Sequence, residues 1–144
     1  CISGRFVEGE SAMWYELSDL KKITDPRGDL YVSELGNGLP FEVRRFYILT
    51  SFSKHARGFH AHKTLHQMAY CLQGECEFHL DNGDRREVIL LRAYEKGLYI
   101  KPGTWREMHN FSADCIILVL ASEVYREEDY IRRYDEFLQW VQAQ

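Results

Sequence analysis

The chain has 144 residues, with 18 Lys and Arg against 22 Asp and Glu, giving a formal net charge of −4 at pH 7. At that length one hydrophobic core supports a single domain without disulfide or metal staples, and an acidic balance offers no electrostatic footprint for nucleic acid or an anionic membrane. A hydrophobic fraction of 45% and a charged fraction of 28% argue against disorder and collagen-like repeats, while an aromatic fraction of 14% with only 3 Pro points to β-structure and ring-lined surfaces.

Residues 1–12 have little pattern and read as an unstructured or tag-derived stretch, with Met13 as the native start and 13–144 as a single domain. No charged, apolar and small-residue signal opens the chain, and no apolar run reaches the roughly 18 residues of a membrane span. Turn signals then recur at Asp25-Pro26-Arg27-Gly28, Gly36-Asn37-Gly38, Asp81-Asn82-Gly83-Asp84 and Lys101-Pro102-Gly103. Runs rich in β-branched and aromatic residues lie between them. They predict strands over 30–34, 41–52, 58–62, Gln67–Gln73, Glu75–Asp81, 86–91, 97–100, 107–111 and 115–121, the pattern of an all-β sandwich or barrel. Cys76-Glu77-Phe78-His79-Leu80, followed by Asp81-Asn82-Gly83, is the clearest hairpin arm. From Glu127 onward the period changes. Ile131, Tyr134, Leu138 and Val141 fall at helical spacing, with Glu128–Arg132 and Asp129–Arg133 as i,i+4 pairs, so one amphipathic C-terminal helix is expected on the barrel exterior or on a partner subunit. Cys1, Cys71, Cys76 and Cys115 show no C-x-x-C spacing and read as free thiols of a reducing cytoplasm.

Four of the six histidines, His55, His60, His62 and His66, crowd one short stretch. In Arg57-Gly58-Phe59-His60-Ala61-His62-Lys63 the alternation of a strand sends His60 and His62 to one face and Ala61 to the other. Two imidazoles on one face suit a metal pair or acid–base work. The spacing resembles that of a cupin, a double-stranded β-helix, in which His-x-His is followed by Glu and Gly and later by Pro-x-Gly-x-x-His. Here the Glu position holds Gln67 and the third histidine position holds Arg106. A guanidinium cannot coordinate a cation, and two histidines with a neutral amide make a poor catalytic metal site, so no metal is expected. An imidazole beside a fixed cation instead suits removal of a proton next to a carbonyl, with the enediolate oxygen stabilised by Arg106 or Arg45 and a hydrogen bond from Tyr47. The alternative for each arginine is a rim salt bridge, and for Tyr47 a core ring.

Those segments, with Pro40-Phe41-Glu42-Val43-Arg44-Arg45, Pro102-Gly103-Thr104-Trp105, Leu118-Val119-Leu120-Ala121-Ser122-Glu123 and the tail Asp129-Tyr130-Ile131-Arg132-Arg133-Tyr134-Asp135-Glu136-Phe137, resemble the cupin sugar 3,4-ketoisomerases, the FdtA/QdtA or WxcM-like enzymes. The resemblance covers about residues 14–138. It implies a cupin (RmlC-like) jelly-roll barrel and a dTDP-4-keto-6-deoxy-D-glucose substrate whose carbonyl moves from C4 to C3 without cofactor. The product would feed an aminotransferase making 3-amino-3,6-dideoxyhexoses for surface polysaccharides or glycosylated natural products. It further implies a homodimer with exchanged N-terminal strands, His60 and His62 as the catalytic pair with His62 preferred as base at C3, and Tyr47 as the strand tyrosine. The substrate-binding set is then Arg27, Arg45, Arg57, Lys63, Gln67 and Arg106, with Tyr99 and Trp105 as faces for the base, unless those two rings are core or dimer contacts. Arg27 follows the commoner family choice, whereas Arg106 stands where many members have His, which leaves the C4 configuration of the product open. Rival readings are a non-catalytic sugar-nucleotide-binding cupin, a metal-dependent cupin enzyme and a cupin 3,5-epimerase.

Overall fold

Between the turn dipeptides, apolar and polar residues alternate often enough for the chain to run as strand after strand. The computed structural model describes residues 14–144, so the expectation for residues 1–12 lies outside the described residues. In chain order the strands are β1 (Tyr15–Asp19), β2 (Lys21–Asp25), β3 (Gly28–Val32), β4 (Glu34–Leu35), β5 (Gly38–Leu39), β6 (Arg45–Leu49), β7 (Arg57–His62), β8 (Gln67–Gln73), β9 (Glu75–Asp81), β10 (Arg86–Arg92), β11 (Lys96–Ile100), β12 (Trp105–His109), β13 (Ile116–Ala121) and β14 (Tyr130–Ile131). The C-terminal helix α1 follows, at Tyr134–Gln142. No helix among the described residues is long and apolar enough to cross a membrane.

Two five-stranded sheets carry the fold, one in the order β1-β11-β8-β13-β6 and the other in the order β10-β9-β12-β7-β14. Every pairing within them is antiparallel. The inner faces meet in a core of Cys76, Phe78 and Leu80 from β9, Leu98 and Ile100 from β11, and Ile117 and Val119 from β13, all buried. Area removed from water at about 25 cal/mol per Å² makes this core the main favourable term. The β9–β10 hairpin forms as its sequence dictates. Gly83 takes φ +94°, and Asn82 Oδ1 accepts the N–H groups of Asp84 and Arg85 at 2.9 and 2.8 Å.

β8 and β9 have the expected ends. The strand expected over 41–52 shortens to Arg45–Leu49, and β1, which lacks a clear alternating pattern, is held by its ladder to β11 and by burial of Trp14 and Tyr15. The helix expected from residue 127 begins only at Tyr134, a correction with a clear cause. Residues 127–129 form a 3-10 turn, and Tyr130–Ile131 pair with His62 and Ala61 of β7. Asp129 cannot serve as a helix-face partner for Arg133, because its carboxylate and carbonyl are engaged by Thr64, His62 and Lys63. Arg132 pairs with Glu127 and Arg133 with Asp135 instead of the expected i,i+4 partners.

Helix α1 packs on the outside of the second sheet, where Phe137, 0% exposed, meets Ala61, Trp105 and Ile131. Phe137→Ala is expected to cost about 3–5 kcal/mol, measured as a lowered denaturant midpoint with unchanged m-value; a loss below about 1 kcal/mol would show that the helix is dispensable to the sandwich.

Candidate active site

The inner faces of the two sheets do not meet everywhere. Between them opens a cavity of about 360 Å³, lined on one side by Arg45 and Tyr47 of β6 and Gln67 of β8, and on the other by His60 of β7 and Arg106 of β12. A bulge aims His60 into it. Opposite β12 the register shifts between Arg106 and Glu107, and on β7 Gly58 and Phe59 both take positive φ, +97° and +55°. A Cβ on Gly58 would lie 3.0 Å from the Arg106 carbonyl oxygen, so both the backbone conformation and the space require glycine.

His60 Nδ1 donates to the Gly58 carbonyl at 3.1 Å, which leaves Nε2 as the basic nitrogen. Burial, with the Arg106 charge adding to it, brings this imidazole down to about 3, so the ring is neutral at pH 7. His62, 1% exposed, lies behind it, ring edge to ring face at a centroid distance of 4.9 Å. Burial and then Arg106 hold His62 neutral as well, so its 3.1 Å contact with Asp129 is an Nδ1–H donated to a carboxylate. His62 Nε2 is buried with no hydrogen-bond partner among the described residues.

Arg106 is 3% exposed. Burial lowers it to about 10, which still leaves the guanidinium protonated at pH 7. It donates through Nη2 to the Thr104 carbonyl at 3.0 Å and through Nη1 to Gln67 Oε1. Gln67 Nε2 in turn donates to Tyr47 Oη at 3.1 Å. Burial raises the Tyr47 phenol, and the Arg106 charge and the Gln67 bond act in the opposite direction. Where a metal-binding cupin places two ligands, this chain therefore has a guanidinium bonded to an amide. Among the described residues, no group of three or more His, Cys, Asp or Glu side chains is placed to hold a metal ion.

The remaining wall comes from the segment before α1. Tyr130 stands over both imidazoles, at 5.0 Å from His60 and 4.4 Å from His62, and the Arg132 guanidinium covers its ring at 4.0 Å. Asp129 fixes this wall through Thr64 N–H and Oγ1–H, both at 2.8 Å, His62, and the Lys63 N–H on its carbonyl at 3.0 Å. Arg45 lies against the rings of Tyr47 and Tyr125 at 5.5 and 5.7 Å, and its Nε has no hydrogen-bond partner among the described residues. Arg57 also reaches the cavity. The site thus combines a neutral base, a phenol and a set of guanidinium groups.

Residues 13–142 match the model of the family described as FdtA, WxcM-like, C-terminal. The chain is similar to TDP-4-oxo-6-deoxy-alpha-D-glucose-3,4-oxoisomerase of Aneurinibacillus thermoaerophilus, at 45% identity over 85% of this chain and 89% of that protein. Among solved structures it is similar to a 3,4-ketoisomerase of Helicobacter canadensis, with a TM-score of 0.85 and 40% identity over 89% of this chain and 97% of the other. It is equally similar to a mutant of the 3,4-ketoisomerase QdtA from Thermoanaerobacterium thermosaccharolyticum in complex with TDP-4-keto-6-deoxyglucose, with a TM-score of 0.85 and 40% identity over 90% and 95% of the two chains. The chain belongs to the FdtA family of sugar 3,4-ketoisomerases.

In this ketoisomerase fold the residues expected at the site divide. His60, Tyr47, Arg45, Arg57, Gln67 and Arg106 converge on the cavity, and His62 supports it from behind. Arg27 lies at the exposed tip of the β2–β3 hairpin, bonded to Asp25. Lys63 is exposed beside Asp129. Tyr99 sits on the outer face of the first sheet, bonded to His66 at 2.8 Å. Trp105 is buried under α1 and donates to Glu107 at 2.9 Å. Asp129, Tyr125, Tyr130 and Arg132 join the site although the sequence pattern did not single them out as site residues. The one available signal was Asp129-Tyr130 within the tail motif, which helical periodicity obscured.

Because His60 and His62 are held below the ordinary imidazole value of 6.5, the folded protein binds fewer protons than the unfolded chain on the acid side. Stability is therefore full above about pH 6.5 and falls as pH drops, by up to about 1.4 kcal/mol per pH unit for each imidazole. The Tm of the native sequence should fall more steeply between pH 7 and about 4.5 than that of His62→Gln; parallel curves in a scanning calorimeter would refute the buried neutral state.

Proposed function

We propose that this protein converts dTDP-4-keto-6-deoxy-D-glucose to the corresponding dTDP-3-keto-6-deoxyhexose by proton transfer through an enediolate. The observation that carries the reading is the convergence of a neutral imidazole, His60, and a phenol, Tyr47, on one cavity whose cations lie in its walls. The relatives that act on, or are bound to, the TDP-linked 4-keto-6-deoxyglucose support the same substrate. The hexose fits a 360 Å³ cavity, and the diphosphate meets Arg45 and Arg57, whose planar donors suit phosphate oxygens.

His60 Nε2 removes the proton from C3, the electron pair forms the C3–C4 double bond, and the C4 oxygen takes the hydroxyl proton of Tyr47. The phenolate so formed takes the proton of the C3 hydroxyl as the carbonyl forms there, and C4 takes a proton from solvent while the His60 imidazolium releases to solvent the one lost from C3. The sequence is redox-neutral and needs no hydride carrier. Arg106 supplies the fixed positive charge against which the oxyanion develops. His62 keeps the His60 ring and Tyr130 in place.

The reading includes a homodimer. Phe46 and Ile48, 63% and 52% exposed, point outward from β6 beside Leu120 and Leu118 of β13, so an apolar strip runs along the first sheet. Ile23 and Leu30 form a second exposed apolar pair on the β2–β3 hairpin that carries Arg27. A second copy covering both would bury them, and hairpin exchange would take Arg27 toward the partner's cavity. A cytoplasmic setting accords with the free, buried thiols of Cys71, Cys76 and Cys115.

In deuterated buffer, the sugar nucleotide should yield the 3-keto product with deuterium at C4 in the NMR spectrum. Absence of product and of exchange would overturn the reading, and exchange at C3 and C5 without carbonyl movement would indicate an epimerase. His60→Asn should lower kcat by about 10³-fold or more, and His62→Asn by less. Ultracentrifugation should show a dimer that Phe46→Glu with Ile48→Glu splits into monomers; a monomeric native protein would refute the assembly.

A further inference from the structure

We propose that Gln67 is a positioning residue whose orientation turns the Tyr47 hydroxyl into a donor aimed at the substrate. The inference rests on the ketoisomerase reading and adds to it a part that acts through Tyr47 without doing chemistry itself. Its basis is the direction of each bond in one buried chain. A guanidinium has donors only. Because Arg106 Nη1 donates to Gln67, the oxygen end of the amide must face the arginine. The NH2 end therefore faces the other way, where Gln67 Nε2 lies 3.1 Å from Tyr47 Oη and donates to it. Tyr47 Oη is an acceptor in that bond, so its own hydrogen is left for a group in the cavity. No other side-chain hydrogen bond to Tyr47 Oη exists among the described residues.

The direction cannot easily reverse. Arg106 is tied to the Thr104 carbonyl by Nη2 at 3.0 Å and by Nε at 3.4 Å, and both Arg106 and Gln67 are buried. Both bonds in the chain Arg106, Gln67, Tyr47 thus run from donor to acceptor in the direction of Tyr47. The same polarity serves the reverse transfer, since the phenolate left when Tyr47 gives up its proton keeps the Gln67 N–H and lies near the arginine charge. A carboxylate in place of Gln67 would have the same shape but the opposite effect. It would accept from Arg106 at one oxygen and from the Tyr47 O–H at the other, turning that hydrogen away from the substrate.

The test compares Gln67→Glu with Gln67→Met in the ketoisomerase assay with dTDP-4-keto-6-deoxyglucose, alongside TDP affinity and Tm. If shape and packing were all that mattered, Glu would be tolerated better than Met. Bond polarity requires the reverse order. Gln67→Met should lose about tenfold in kcat and Gln67→Glu about 100-fold or more, with KM and TDP affinity within about threefold and the Tm of the Glu variant undiminished by its pairing with Arg106. A Glu variant at least as active as the Met variant overturns the proposal. Independently, the tyrosine Cζ resonance of Tyr47, assigned with Tyr47→Phe, should titrate at higher pH in both variants than in the native protein; an unchanged or lower titration overturns it. Should the native protein itself fail to turn the sugar nucleotide over, the reaction assignment falls and the Tyr47 titration still decides the role of Gln67. Should the Glu variant fail to fold, the Met variant's titration decides it.

Discussion

A guanidinium enclosed between two sheets constrains everything around it. Taking an arginine out of water costs several kcal/mol unless acceptors and a compensating field replace the lost hydration, and Arg106 stays charged because burial brings it only to about 10. Its donors are therefore met by Thr104 and Gln67, with the Asp129 carboxylate favouring its charge from further away. Its field in turn helps keep His60 and His62 neutral. The position where a metal-binding cupin would accumulate lone pairs is here filled by a permanent cation, and burial together with that cation keeps both imidazoles neutral, the form that a base requires at His60.

A second constraint is the carboxylate of Asp129, which ties sequence-distant parts of the chain into one wall. Its bonds to Thr64, His62 and, through its carbonyl, Lys63 keep Tyr130 and Ile131 extended beside β7 and delay the helix to Tyr134. That delay places Tyr130 and Arg132 on the cavity. With the helical continuation the periodicity suggested, Asp129 and Arg133 would have paired on an exposed face, for a few tenths of a kcal/mol. Several charge-assisted bonds converging on one carboxylate contribute more than such a pair, so tertiary contacts override local preference in this segment.

How much of this was legible in the sequence follows from the range of the interactions concerned. β8 and β9 could be read to the residue because alternation and turn chemistry are local. Gln67 and Arg106 stood out as substitutions in a metal-binding spacing, but their bond to each other joins β8 to β12 and leaves no mark in either segment. The bulge at Gly58 and Phe59 depends on β12 and was equally hidden. Trp105 could have been resolved further. It precedes Arg106 on one strand, and neighbours on a strand face opposite sides, so the two could not both line one cavity. The same parity separates Tyr99 from Ile100, which faces inward.

The net charge of −4 and a cavity lined by Arg45, Arg57, Arg106 and Arg132 are reconciled by distance. At physiological ionic strength, charges more than about 8 Å apart across solvent are screened, so the acidic exterior does little to cancel the buried Arg106, whereas the exposed Arg132 is paired with Glu127. Guanidinium groups on a cavity wall suit an anionic ligand, and the fields of Arg106 and Arg132 add to burial in lowering the basicity of His60.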